Sequence, residues 1–88
     1  MDQGQGSARA GDEAGPVRLD LRGLLCPLTW AKTRYALSRL QAGHQLLVLV
    51  DHRPAVPDIR RNSEELGHEV VSARELAGGV WELLLRRQ

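Results

Sequence analysis

Eighty-eight residues make one small domain, and a chain of this size buries only roughly 60% of the surface it exposes when unfolded, which excludes a large enclosed active site. Phe is absent and Trp30, Tyr35 and Trp81 are the only aromatics, so the core must be built from aliphatic residues. The formal net charge of +1 is far from a nucleic-acid footprint; with residues 1–16 set aside, eleven cations face eight acids, a mildly basic balance that suits acidic protein partners better.

One cysteine rules out an internal disulfide and fits a reducing compartment. No apolar run approaches the ~20 residues of a membrane span, and the N-terminus lacks a basic segment followed by an apolar one. A cytoplasmic location is therefore expected.

Residues 1–16, MDQGQGSARAGDEAGP, contain four glycines and no large apolar residue after Met1. Such a segment has nothing to bury and is expected to be a disordered tail, with the folded domain over residues 17–88. Val17 to Asp20 alternates apolar and polar and predicts a first strand, which Gly23 breaks. A loop over residues 21–25 then leads to Cys26; it brings Arg22 either near the sulfur or into solvent. Leu24 and Leu25 resemble a hydrophobic staple that fixes the angle of approach.

Pro27 suits the first helical position, where its missing N–H has no intrahelical partner in any case, and this makes Cys26 the expected N-cap. Thr33, Ala36, Leu37 and Leu40 then recur at helical spacing, with Trp30 extending the stripe back by a turn. The helix is expected to reach Gln41 or Ala42, with Gly43 as a left-handed cap residue. Its outer stripe is Leu28, Lys32, Tyr35 and Arg39, either a docking face beside the sulfur or an ordinary solvated face.

The aliphatic run Gln45 to Val50 predicts a strand that is central or buried on both faces. A strand, a helix and a strand imply a parallel crossover. After the turn residues Asp51-His52-Arg53-Pro54, the positions Val56, Ile59, Ser63 and Leu66 mark a second amphipathic helix, with Pro57 tolerable in its first turn and Gly67 at its end. Residues 69–76 and 79–87 predict a hairpin about Gly78-Gly79, with Trp81, Leu83 and Leu85 on one face. The resulting order, βαβαββ, predicts an α+β fold, a two-layer α/β sandwich with two helices on one face of a mixed four-stranded sheet. The G-x-G-x-x-G and P-loop fingerprints are missing.

The one sulfur supports two readings. A helix N-terminus favours negative charge and raises cysteine reactivity, because the thiolate is the nucleophile. Free cysteines are also among the most buried residue types and often act as small hydrophobes. Metal binding is not expected, since Cys26, His44, His52 and His68 show no paired ligand spacing.

The Leu19, Gly23, Leu24, Cys26 and Pro27 pattern, a Leu-x-x-x-Gly-Leu approach to a Cys-Pro pair that opens a helix, resembles the TusA-like, or SirA-like, family of sulfur-carrier proteins. Lys32, Arg34, Gly43, Asp51, Asp58-Ile59 and Gly67-His68-Glu69 support it, and the resemblance spans residues 19–86. The family's usual motif is Cys-Pro-x-Pro; here its second proline is Thr29, which keeps helical geometry and offers a hydroxyl near the cap. The commoner Asp-Asp-Pro after the second strand is Asp51-His52-Arg53 here.

The resemblance implies that Cys26 accepts sulfane sulfur as a persulfide from a cysteine desulfurase or rhodanese-type donor and passes it to an acceptor protein. It assigns Pro27, Thr29, Lys32, Arg34 and Asp51 to positioning or partner binding. Beside it stand the expectations of a monomer with no cofactor and, from ligand spacing, charge and the lack of a long apolar run, no metal and no direct nucleic-acid or membrane contact. The N–H groups of Ala31 or its neighbours would stabilise the persulfide anion. Two other classes stand beside this one. One is a non-catalytic regulatory or protein-binding module in which Cys26 merely caps a helix. The other is an RNA-binding module, against which the strands offer no paired aromatic platform.

Overall fold

The computed structural model describes residues 15–88. The tail expected over residues 1–16 therefore lies outside the described residues, apart from Gly15 and Pro16. In chain order the elements are β1 (Val17–Asp20), α1 (Leu28–Ser38), β2 (Gln45–Val50), α2 (Ala55–Glu65), β3 (Glu69–Glu75), a short 3-10 turn (Ala77–Gly79) and β4 (Trp81–Arg86), which is the expected βαβαββ order.

The strands form one mixed sheet ordered β1-β2-β4-β3, with β1 parallel to β2 and both other pairings antiparallel. β2 is central, as its aliphatic run predicts, yet only one of its faces is fully covered. Leu46, Val48 and Val50 are wholly buried, while Gln45, Leu47 and Leu49 are half-buried. On β4, Leu83 and Leu85 stand opposite Val48 and Leu46, so these five or so side chains form one apolar face. Leu37 of α1 and Ile59 of α2 join the same cluster, which puts both helices on that face. The opposite face carries Arg74–Glu82 and Arg86–Glu69 ion pairs between registered positions of β3 and β4.

α1 is shorter than its periodicity suggests and ends at Ser38. The cause is local: the Ser38 hydroxyl donates to the Tyr35 carbonyl, and the Arg39 and Leu40 N–H groups reach back three residues, to Ala36 and Leu37, closing the last turn tightly. Arg87 Nε also donates to the Leu37 carbonyl at 2.8 Å, bringing a cation to the negative end of the helix. Gly43 is thus no cap of α1; its N–H instead donates to the Arg87 carbonyl at 2.7 Å at the start of β2.

α2 ends as expected at Gly67, whose φ of +89° allows the His68 N–H to reach the Ser63 carbonyl and its own N–H to reach that of Glu64. Leu66, expected on the buried face, is 49% exposed because it is the C-cap residue beyond the last turn. The hairpin is also as expected, but the 3-10 turn at residues 77–79 shortens both strands at that end, and β3 carries an irregularity between Val70 and Ser72.

Replacing Gly67 by Ala places a side chain in the left-handed region and should cost about 1–2 kcal/mol, readable from the denaturant midpoint. A second expectation concerns His68. Its Nδ1 accepts the Gln88 N–H at 3.1 Å, and burial, helped by the Arg87 charge, pushes its pKa below the ordinary 6.5. The unfolded chain therefore takes up the proton first, so stability present above about pH 6.5 is lost as pH falls through the lower folded-state value. Denaturant midpoints at about pH 7.5 and 5.5 should fall less for His68→Gln than for the unaltered protein.

Candidate functional site

The path from β1 to the cysteine is fixed before the helix begins. Asp20 accepts the Arg22 backbone N–H at 3.1 Å and its guanidinium at 2.9 and 2.7 Å, and these hydrogen bonds hold the Asp20 carboxyl down to about 2. Arg22 is thereby committed to Asp20. The Leu21 N–H extends the sheet to the Leu49 carbonyl at 2.8 Å, and its side chain is buried in the core. Gly23, at φ +87°, then presents its N–H to Asp51 Oδ1 at 2.8 Å, so the exit of β2 holds the loop that follows β1.

Leu24 packs against the core, but Leu25 is 62% exposed; the expected staple is therefore Leu24 alone. The Leu25 carbonyl turns inward and accepts the N–H groups of Leu28 at 2.9 Å and Thr29 at 3.3 Å. As a result the helical ladder starts one residue later than the sequence suggests, with the Ala31 N–H on the Pro27 carbonyl at 3.1 Å. Pro27 is the N-cap, joined to Cys26 by a cis peptide bond, and Cys26 lies one residue before it. Among the described residues no side chain caps the helix, which corrects the expectation that Cys26 does so. The Ala31 amide, expected to face an anion, is already engaged. Trp30 carries the first-turn N–H without an acceptor among the described residues.

Cys26 is half-buried against the rim of the core, and its Sγ lies 3.7 Å from Thr29 Oγ1. Thr29 is fully buried, and with Thr33 and Leu37 it makes the buried face of α1. The residues that flank the Cys-Pro pair in the chain, Leu25 and the 47%-exposed Leu28, are exposed apolar side chains, and Tyr35 is 65% exposed further along the helix. The outer stripe Leu28, Lys32, Tyr35 and Arg39 is solvent-facing as expected, with the Arg39 guanidinium over the Tyr35 ring at 5.8 Å. A shallow groove of about 420 Å³ runs between β1 and α1, lined by Leu19, Ala31, Lys32, Tyr35 and Ala36.

Of the residues singled out from sequence, Cys26, Pro27 and Thr29 come together directly and Asp51 joins them through Gly23. Lys32 and Arg34 are exposed on α1, roughly 6 and 9 Å along the axis from its first residue, Leu28, at helical rise. The exposure of Leu25 was missed; its place directly before the Cys-Pro pair was the signal available. Among the described residues, no three His, Cys, Asp or Glu side chains are grouped to hold a metal ion, and no helix is long and apolar enough to cross a membrane.

Fold and site define a small α+β protein that presents one thiol at the opening of its first helix. Comparison with known proteins gives the family. The model of the family "Sulfurtransferase TusA" matches residues 17–87. A protein of Archaeoglobus fulgidus named "Putative sulfur carrier protein" is 40% identical over 76 residues, covering 86% of this chain and 85% of its own. A similarly named protein of Methanocaldococcus jannaschii is 41% identical over 58 residues, 66% of this chain and 77% of its own. The crystal structure of a SirA-like protein from Desulfitobacterium hafniense superposes with a TM-score of 0.73 at 27% identity, covering 80% of this chain and 95% of that one. The chain belongs to the TusA family.

Asp51→Ala removes the acceptor that holds Gly23. The expected cost is about 1 kcal/mol, and Gly23 amide exchange should accelerate while protection in β2 and β4 is retained.

Proposed function

We propose that the protein carries sulfur as a persulfide on Cys26, taking it from a donor protein of cysteine desulfurase or rhodanese type and passing it to an acceptor protein. The observation that supports this most is the placing of the single thiol. It is half-buried, lies at the end of a loop anchored to β2, and belongs to a segment whose flanking residues Leu25 and Leu28 are exposed. The sulfur-carrier names of the relatives point the same way.

The chemistry asks little else of the chain. In loading, the Cys26 thiolate attacks the outer sulfur of the donor's persulfide and the donor thiolate departs; unloading is the same exchange with the roles reversed. Thiolate fraction and access govern both steps, so no further acid or base is required. Pro27, Thr29 and Asp51 serve to hold the sulfur. Lys32 and Arg34, exposed on the helix, meet acidic groups of the partner rather than the sulfur itself. A monomer in a reducing cytoplasm, contacting proteins and not nucleic acid, suits this role.

Cys26 as a mere cap is the weaker reading, because Pro27 holds the cap position. Incubation with a protein persulfide donor followed by intact-mass analysis tests the proposal. The expected result is addition of one sulfur atom to the native protein and none to Cys26→Ala; no addition, or equal addition to both, contradicts it.

A further inference from the structure

The two buried threonines of α1 solve the same problem differently. Most buried hydroxyls have a hydrogen-bond partner. Thr33 Oγ1 donates to the Thr29 carbonyl at 2.8 Å, the ordinary helical solution. Thr29, equally buried, has a different partner: among the described residues its hydroxyl contacts only Cys26 Sγ, at 3.7 Å. Among the described residues the hydroxyl is thus paired with the reacting atom alone, in a contact where either atom can be the donor.

We propose that Thr29 is a catalytic residue of the release step, donating a hydrogen bond to Cys26 Sγ as that atom takes up negative charge. This rests on the carrier reading given above. In the loaded protein Sγ is the inner, uncharged sulfur of the persulfide and a weak acceptor. In release, the acceptor's thiolate attacks the outer sulfur, a new S–S bond forms, and the bond from Sγ to the outer sulfur breaks with its electron pair remaining on Sγ. A proton on the outer sulfur travels with it. Sγ ends as a thiolate, and a hydrogen bond to a charged acceptor is shorter and roughly twice as strong as one between neutral groups. The contact therefore strengthens along the path to release and weakens on loading. Thr29 speeds discharge and lowers the share of loaded protein at equilibrium. A proline at this position, the usual residue of the Cys-Pro-x-Pro motif, has no hydroxyl with which to do so.

The test uses the full chain, loaded to one added sulfur and verified by intact mass, with cyanide as a small acceptor that leaves with the outer sulfur as thiocyanate. Single-turnover release is followed for the unaltered protein, Thr29→Val, Thr29→Ser and Thr29→Ala. Thr and Val share a shape, as Ser and Ala nearly do, so each pair isolates the hydroxyl; the smaller pair serves if the Val variant does not fold. Release should be roughly tenfold slower without the hydroxyl in each folded pair, with Ser close to Thr. Equal rates within the pairs overturn the inference while leaving the carrier reading intact. Failure of every protein, the unaltered one included, to take up sulfur overturns the carrier reading and this inference with it.

Discussion

The site depends on two parallel strands that finish level with each other. Because β1 and β2 run side by side with Asp20 opposite Leu49, the residue that follows β2, Asp51, comes within reach of the loop that follows β1, and its carboxylate takes the Gly23 amide. Only a backbone that accepts positive φ turns at that point. From Gly23 the chain has three residues in which to reach Pro27, so the sulfur's place is set by the sheet rather than by the helix it precedes.

The helix contributes in a less usual way. A core of aliphatic residues covers the sheet, yet the fully buried residues of α1 are two threonines and one leucine, with Trp30 and Ala36 packed at the edge. Two hydroxyls in an apolar interior are tolerated because each has a partner. One partner is backbone and the other is sulfur. The same burial that excludes water from Thr29 makes its contact with Sγ worth more than an exposed contact would be.

Most of the architecture was legible in the sequence. Alternation in Val17–Asp20, the aliphatic run of Gln45–Val50, the apolar spacing of α2 and the paired glycines of the hairpin each mapped onto an observed element. What escaped was set by carbonyls, which no side-chain pattern reports. Leu25 offers its carbonyl to two amides, so the helix opens one residue late and Pro27 displaces Cys26 from the cap. The short last turn likewise follows from Ser38 and Arg87 contacting α1 carbonyls. At the site, Cys26 and Asp51 were named separately from the sequence, but their link through Gly23 spans 28 residues and requires the parallel register. The Leu24-Leu25 pair suggests a staple of both residues, but Leu24 alone packs against the core while Leu25 faces solvent.

The Arg87 guanidinium reaches across from beyond β4 to the Leu37 carbonyl, while the opposite end of the same helix is bound through the Leu25 carbonyl to a loop that Asp51 anchors. α1 is therefore clamped fore and aft to two neighbouring strands of one sheet. It can neither roll about its axis nor slide along it without surrendering a grip at one end, and the thiol accordingly keeps a constant bearing on the molecule's frame.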